Sequence, residues 1–143
     1  YDAAGRLATQ TYPGTTFAVD YAYTAQGHLS QVSRSGTVLH RFESTDPFGN
    51  ATEERFHNNA FRTIRGFDAA SGRLTSTQTG TTATPKSIQD LETVWRSNST
   101  LYRRIDKRNT VTTGDDYVDT FGYDVLERVT QQATSVGASR TLS

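Results

Sequence analysis

Apolar and polar residues alternate along short stretches of the chain. The side chains of a β-strand point alternately to opposite faces of a sheet, so a period of two predicts strands with one apolar face. No segment shows the period of an amphipathic helix. The pattern therefore predicts an all-β protein. The residues that carry the alternation most clearly are Phe17, Val19, Tyr21 and Tyr23 near the start, and Tyr117, Phe121 and Tyr123 near the end.

A seven-residue motif recurs along the whole chain. Its first copy, Tyr-Asp-Ala-Ala-Gly-Arg-Leu at residues 1–7, is followed by weaker copies that begin at 23, 45, 67, 95 and 123. The intervals are 22, 22, 22, 28 and 28 residues. Equal spacing of this kind is the mark of a repeat protein, so we predict that residues 1–143 form a single array of about six repeats, as a fragment of a longer protein. The motif residues to which we assign a structural role are Tyr1, Asp2, Gly5, Leu7, Tyr23, Gly27, Leu29, Asp46, Gly49, Phe67, Asp68, Gly72, Leu74, Trp95, Leu101, Tyr123, Asp124 and Val129.

Each copy of the motif has the composition of a hairpin turn. The aromatic residue ends one strand, the Asp accepts hydrogen bonds from the following main-chain N–H groups, and the Gly three residues later adopts the left-handed conformation. The last apolar residue then opens the returning strand and packs across the hairpin from the aromatic. Thr24, Arg96 and Ser99 replace the expected Asp or Gly, so we expect those turns to differ in geometry.

The segments between the motifs also have turn composition. Tyr-Pro-Gly at 12–14, Arg-Ser-Gly at 34–36 and His-Asn-Asn at 57–59 each predict a second turn, which gives two strands and two turns per unit. The two longer units carry polar segments at 80–85 and 108–116, which we interpret as loops. Residues 87–92 fit one helical turn, but Leu91, Thr93 and Trp95 alternate as in a strand. The predicted fold is thus a series of antiparallel hairpins in one twisted, curved sheet.

The composition indicates a thin core. Leu, Ile, Val and Phe make up only 27 of the 143 residues, whereas there are 24 threonines. The 15 basic and 15 acidic residues cancel, which argues against a dedicated binder of nucleic acid or of anionic membranes. No apolar stretch approaches the roughly 20 residues that span a bilayer. Because the chain has no Cys, disulfides and thiol nucleophiles are excluded.

The motif resembles the tyrosine-aspartate (YD) repeat of the Rhs/YD-repeat family, which includes bacterial Rhs proteins, the shell subunits of Tc toxin complexes and the animal teneurins. The resemblance is carried by residues 1–7, by Phe-Asp-Ala-Ala-Ser-Gly-Arg-Leu-Thr at 67–75 and by Phe-Gly-Tyr-Asp-Val-Leu-Glu-Arg-Val-Thr at 121–130. It implies a long sheet that spirals into a hollow shell enclosing a toxic C-terminal polypeptide. It also implies secretion, export or a cell-surface location as part of a larger bacterial protein, with other toxin-complex subunits as further partners.

Activity lies outside the repeats in this family, and many bacterial members cleave themselves in a core segment that follows them. That Asp-Pro-rich core is not matched here. Asp46 and Pro47 fall in phase with the repeats and read as a turn. No autoproteolytic residue is therefore carried over, and we predict no enzyme activity and no cofactor.

Other candidate chemistry has a simpler structural interpretation. His28, His40 and His57 are too scattered for a metal site, and the periodic aspartates are better explained by turn capping than by acid–base catalysis. Gly-Asp-Asp at 114–116 lacks the ligand spacing of a Ca²⁺ loop. Two glycosylation sequons start at Asn50 and Asn98. The basic residues at 103, 104, 107 and 108 lie near acidic ones, which favours a neutralised surface over an anion site.

Two functions remain after these exclusions. The leading hypothesis is a structural shell segment whose partners are the rest of its own shell and the enclosed polypeptide. The alternative is an extracellular adhesion or carbohydrate-binding module, in which exposed Tyr, Trp95 and Arg side chains stack on sugars. An enzyme ranks last, for want of a site. We also expect the isolated chain to self-associate through open strand edges at both ends of the array.

Overall fold

The structure is a computed structural model that describes residues 1–108 and 116–135 and the backbone of residues 140 and 141. The sequence prediction of an all-β fold is confirmed. The described residues contain twelve strands: β1 (Thr9–Thr11), β2 (Ala18–Tyr23), β3 (Leu29–Arg34), β4 (Thr37–Thr45), β5 (Ala51–Phe56), β6 (Phe61–Phe67), β7 (Leu74–Thr81), β8 (Gln89–Trp95), β9 (Leu101–Asp106), β10 (Tyr117–Tyr123), β11 (Val129–Thr134) and β12 (Arg140–Thr141).

The strands form one open, curved sheet in which the spatial order is the order along the chain. Every neighbouring pair is antiparallel, and the fully described connections are hairpins. Successive hairpins of such a meander lie at opposite sides of the sheet. All the motif turns consequently lie along one side, which we call the motif side, and the other described connections lie along the opposite side, which we call the loop side.

The two faces of the sheet differ in chemistry. On one face, which we call the aromatic face, register places Tyr21 beside Val32, Val32 beside His40, and His40 beside Phe56. The ring of His40 stacks on Phe56 with a centroid distance of 4.9 Å. The opposite face carries further ion pairs, such as Arg55 to Glu53 at 3.1 Å, whereas the ion pairs of Glu54 with His40 and Arg65 lie on the aromatic face. The alternation in the sequence therefore corresponds to two real surfaces.

The core is as thin as the composition predicts. Among the described apolar residues, Val19 alone is buried. Several polar residues are buried instead, and Asp119 is the most enclosed, with 1% of its surface exposed. Buried polar groups are stable only when they are hydrogen-bonded. The sheet is thus stabilised by cross-strand polar contacts as well as by apolar burial. The other buried polar residues are Glu54, Thr63, Asp90 and Thr100.

The loop side contains the second set of predicted turns. Ser35 and Gly36 have φ angles of 47° and 80°, as a tight two-residue hairpin turn requires. His57, Asn58 and Asn59 are all left-handed, with φ between 48° and 68°. Residues 87–92 do not form a helical turn, because β8 already begins at Gln89. Most of the predicted loop at 108–116 lies outside the described residues.

Candidate functional site

The six motif turns on the motif side share one pattern of two main-chain hydrogen bonds, and in the fourth turn each bond spans one residue more than in the others. In the first turn, the N–H of Asp2 donates to the carbonyl of Arg6 at 2.8 Å, and the N–H of Gly5 donates to the carbonyl of Asp2 at 3.0 Å. The same two bonds recur in the other five turns, with distances from 2.8 to 3.1 Å. The bonded pairs there are Thr24 with His28 and Gly27, Asp46 with Asn50 and Gly49, Asp68 with Arg73 and Gly72, Arg96 with Thr100 and Ser99, and Asp124 with Arg128 and Glu127.

The aspartate carboxylates cap these turns. One oxygen of Asp46 accepts hydrogen bonds from the N–H groups of Phe48 and Asn50, both at 2.9 Å, and the other accepts from the side-chain amide of Asn50 at 2.9 Å. The hydrogen bond from that amide, followed by the main-chain ones, holds the pKa of Asp46 below its ordinary value. In Asp68, the hydroxyl and N–H of Ser71 have the same effect on the pKa.

Asp2 and Asp124 add an ion pair to the cap. The guanidinium of Arg6 lies 2.7 Å from Asp2, and that of Arg128 lies 2.7 Å from Asp124. The main-chain N–H of each arginine contributes most to a lowered pKa of its aspartate, and the guanidinium hydrogen bond lowers the pKa further. These carboxylates therefore remain charged and bonded within their own turns. They are not arranged as an acid–base pair.

The expectation that the divergent turns differ in geometry is wrong. Ser99 has a φ of 75° and Glu127 a φ of 61°, so both adopt the left-handed conformation that glycine adopts in the other four turns. Where Asp is missing, another side chain bonds to the turn. The hydroxyl of Thr24 accepts from the N–H of His28 at 3.2 Å, and the side chain of Asn98 accepts from the hydroxyl of Thr100 at 2.8 Å. The turn therefore tolerates substitution at both positions.

Each motif hairpin has a β-bulge directly after the turn. Tyr23 faces Leu29 across the hairpin, whereas Ala22 faces Gln31, so that Ser30 has no opposite residue. A bulge bends the strand and increases its local twist. Its recurrence at the same place in successive hairpins explains the curvature of the sheet. The other extra residues are Thr52, Thr75, Tyr102 and Thr130.

The first aromatic residue of a motif bonds to the preceding repeat. The hydroxyl of Tyr23 donates to the carbonyl of Leu7 at 2.9 Å, and the hydroxyl of Tyr123 donates to the carbonyl of Leu101 at 2.8 Å. The indole N–H of Trp95 donates to the carbonyl of Leu74 at 2.7 Å. We call this contact the repeat junction. This contact was not predicted from the sequence, although the preference for Tyr and Trp over Phe at this position is a signal for a hydrogen-bond donor.

Arginine side chains reinforce the repeat junctions. The guanidinium of Arg6 lies over the ring of Tyr23, 4.5 Å from its centroid. That of Arg96 lies 5.4 Å from the centroid of Tyr123 and donates to the carbonyl of Phe121 at 3.0 Å. Stacking of this kind is worth about 0.5–1 kcal/mol at exposed sites. The junctions at Tyr23 and Tyr123 therefore combine a hydrogen bond to the main chain with an arginine that covers the ring.

The structure does not bring the three histidines together. His28 lies in the second motif turn, and His57 lies on the loop side. His40 contacts Glu54 at 2.9 Å, and the same carboxylate pairs with Arg65. Burial raises the pKa of Glu54, but the bonds from Arg65 and His40 outweigh it and lower the pKa overall. In the described ranges, no cluster of three or more His, Asp or Glu side chains is arranged to hold a metal ion.

Of the basic residues at 103, 104, 107 and 108, Arg104 and Lys107 pair with acidic side chains. Arg104 lies 2.6 Å from the buried Asp119, and Lys107 pairs with Glu92, which raises the pKa of the lysine. Arg108 donates to the carbonyl of Ile88. Two members of the candidate Ca²⁺ loop, residues 114 and 115, lie outside the described residues. In the part of the chain that is described, no helix is long and apolar enough to cross a membrane.

Comparison with known proteins agrees with this geometry. The family model of the RHS repeat matches residues 1–38, which contain the first two motif turns and the first repeat junction. An RHS repeat is therefore present in residues 1–38. This confirms the resemblance to the Rhs/YD-repeat family. Among curated proteins, no sequence matches the chain.

Solved structures with the same fold include Tc toxin assemblies. The crystal structure of TcdB2-TccC3-TEV superimposes with a TM-score of 0.75 at 21% identity, over 92% of this chain. The Photorhabdus luminescens Tc holotoxin pore with the TccC3-D651A mutation gives a TM-score of 0.76 at 21% identity, also over 92% of this chain. In both cases, this chain covers 6% of the length of the other chain. The fold is therefore shared with a small part of a much larger protein.

Proposed function

We propose that this RHS-repeat chain is a wall segment of a hollow protein shell. The observation that carries the proposal is the repeat junction: Tyr23, Trp95 and Tyr123 each bond to the main chain of the preceding repeat. Contacts of this kind join neighbours in sequence, so that a sheet grows by one hairpin per repeat. The recurring bulges curve the growing sheet. A curved sheet of this kind suits a wall rather than a compact catalytic domain.

The proposed partners and location are those of the larger protein of which such a wall segment is a part. We infer that the rest of the shell continues the sheet beyond β1 and β12, which have a described neighbour on one side only. The enclosed partner is a C-terminal toxic or effector polypeptide, and the location is outside the producing cell or at its surface. Other toxin-complex subunits are further partners. The fold shared with Tc toxin assemblies supports these inferences, and the segment itself is assigned no enzyme activity.

The carbohydrate-binding alternative has less support from the geometry. Trp95 was its main candidate for stacking on a sugar, but the indole of Trp95 is half-buried and its N–H bonds to the carbonyl of Leu74. The ring of Tyr23 lies under Arg6. These rings are already used for contacts between repeats.

Limited proteolysis of the parent protein tests the shell. The parent is expressed with the polypeptide that its gene encodes downstream of the repeats, and the same polypeptide alone is the control. We expect the downstream polypeptide to resist protease at least tenfold longer in the parent than alone. Equal cleavage rates would contradict enclosure. Binding to a glycan array that is lost in Trp95→Ala would instead support the alternative.

A further inference from the structure

A groove of about 590 Å³ lies on the motif side between the second and third motif turns. Its walls come from consecutive repeats and include Leu29, Phe42, Thr45, Gly49 and Ala51. Leu29 and Phe42 make much of this lining apolar. The groove therefore lies where two neighbouring repeats meet, at the same place in the repeat as the junctions described above.

The residue at the start of the third motif explains the groove. Thr45 holds the position that Tyr23, Trp95 and Tyr123 hold in other motifs. At those three positions, an aromatic ring extends over the preceding repeat and bonds to its main chain. Thr45 has no ring, so the corresponding space beside Leu29 is left open. The groove is thus a repeat junction without its aromatic side chain.

The repeat junctions at Tyr23 and Tyr123 indicate which chemical group fits the groove. The carbonyls of Leu7 and Leu101 each accept a hydrogen bond from a phenol hydroxyl, and Leu29 occupies the equivalent position in the second repeat. His28 takes the place of Arg6, whose planar side chain lies over the ring of Tyr23. An acceptor at the end of an apolar slot beneath a planar side chain is complementary to a phenol.

We propose that this groove binds a tyrosine side chain of a partner polypeptide. The bound ring takes the position that Tyr23 takes against Leu7, and its hydroxyl donates to the carbonyl of Leu29. The inference depends on the geometry of the repeats and not on the proposed shell. A site built to bond a hydroxyl discriminates against the analogue that lacks it. The groove should therefore prefer tyrosine to phenylalanine.

Saturation-transfer NMR on the whole chain tests the proposal, because the method tolerates self-association. The probes are N-acetyl-tyrosinamide and N-acetyl-phenylalaninamide. We expect the tyrosine probe to bind at least fivefold more tightly than the phenylalanine probe. Equal binding would overturn the assignment of a phenol site, and no binding of either probe would overturn the site altogether.

Two substitutions locate the binding in the groove. Thr45→Tyr supplies the missing ring from within the chain, so it should weaken binding of the tyrosine probe at least tenfold. Thr37→Tyr, at the loop-side end of the same strand, is the matched control and should leave binding unchanged. Ala51→Leu provides a second test should Thr45→Tyr fail to fold. It narrows the groove, and leucine is the residue at the same motif position in Leu7, Leu29, Leu74 and Leu101. Unchanged binding in a folded Thr45→Tyr or Ala51→Leu variant would refute the proposal.

Discussion

The phenol hydroxyl of Tyr23 donates a hydrogen bond to the main-chain carbonyl of Leu7, 2.9 Å away and 16 residues earlier in the chain. The bond joins the first residue of one motif to the last residue of the motif before it. A ladder bond between adjacent strands depends little on side-chain identity, whereas this bond needs a side chain with a donor at the right distance. The tyrosine of the repeat therefore contributes to the register between repeats.

Tyr23→Phe removes this donor and keeps the ring. We expect a loss of about 1 kcal/mol in the free energy of unfolding, because the carbonyl of a half-buried residue loses its side-chain partner. Urea denaturation measures the change. Tyr21→Phe is the matched control, since the hydroxyl of Tyr21 makes only an exposed contact of 3.3 Å with Gln10. If both variants lost the same stability, the repeat junction would have no special role.

Gly49→Ala tests the left-handed position of the motif turn. Gly49 has a φ of 86°, and an added Cβ would meet no atom within 4 Å, so the cost is one of backbone conformation alone. We expect a loss of about 1 kcal/mol in the free energy of unfolding. Asn tolerates this conformation better than Ala, so Gly49→Asn should be less destabilising. A Gly49→Asn variant as unstable as Gly49→Ala would argue against this explanation.

Arg104→Leu tests the buried ion pair between strands β9 and β10. Asp119 has 1% of its surface exposed and accepts hydrogen bonds from Arg104 at 2.6 Å and from Gln132 at 3.1 Å. Removal of the arginine leaves a buried carboxylate with one neutral donor. We expect a loss of about 2 kcal/mol in thermal or urea denaturation, below the usual range because Arg104 is half-exposed. Arg103→Leu, one residue away on the opposite face, should cost much less, and equal losses would contradict this account.

The strands and turns were predictable because their signals are local. An aromatic residue, an Asp and a Gly within five residues determine a turn such as that at 1–7, and period-two alternation identifies the strands beside it. Even β8 follows from the alternation of Leu91, Thr93 and Trp95. The connections were predictable as well, because short turns allow only antiparallel neighbours.

The repeat junctions were not predictable from these signals. The bond from Tyr23 to Leu7 depends on the register of β1 against β2, and the bulge at Ser30 changes the register of the hairpin that follows Tyr23. The turn at Ser99 shows a second limit, since its main-chain bonds impose the left-handed conformation on a residue that rarely adopts it alone. The ion pairs of Glu54 with His40 and Arg65 depend on register across three strands.

The motif carboxylates predict a loss of stability in acid. Asp2, Asp46, Asp68 and Asp124 have folded-state pKa values below the ordinary 3.8, and Glu54 has one below 4.5. The unfolded chain therefore binds more protons than the folded chain as the pH falls through this range. Their stabilisation is complete above the unfolded values and is lost as the pH falls through the lower folded values.

Thermal denaturation between pH 7 and pH 2 measures this effect. We expect the melting temperature to fall below about pH 4, with the steepest loss below the ordinary pKa of aspartate. Asp46→Asn should make the fall shallower, because one of the linked carboxylates is removed. Asp20→Asn, on β2 outside the motif turns, is the control. A wild-type melting temperature that did not change between pH 5 and pH 2 would contradict the lowered pKa values.

The edge strand β1 allows a sharp test of self-association. Thr9, Gln10 and Thr11 are all exposed, and β2 is the only described strand that pairs with β1. The main-chain N–H of Tyr21 donates to the carbonyl of Ala8, and the main-chain N–H of Tyr12 donates to the carbonyl of Phe17. The even-numbered residues of this segment therefore direct their main-chain N–H and C=O groups toward β2. In an antiparallel strand, the residues between them direct their main-chain groups to the opposite edge, away from β2. The main-chain N–H of Thr11 therefore points out from the open edge, where a strand of a second chain can accept a hydrogen bond from it.

We expect the isolated chain to form oligomers at micromolar concentration, because an open strand edge pairs readily with another chain. Thr11→Pro removes an outward N–H without loss of a bond to β2, and it should shift the chain toward monomer. Gln10→Pro is the contrasting variant, because it removes an inward N–H and should cost stability as well. Sedimentation velocity measures the species, and circular dichroism checks the fold. A wild-type chain that sediments as a monomer would refute the open-edge argument. Oligomers unaffected by Thr11→Pro would place the contact elsewhere than at β1.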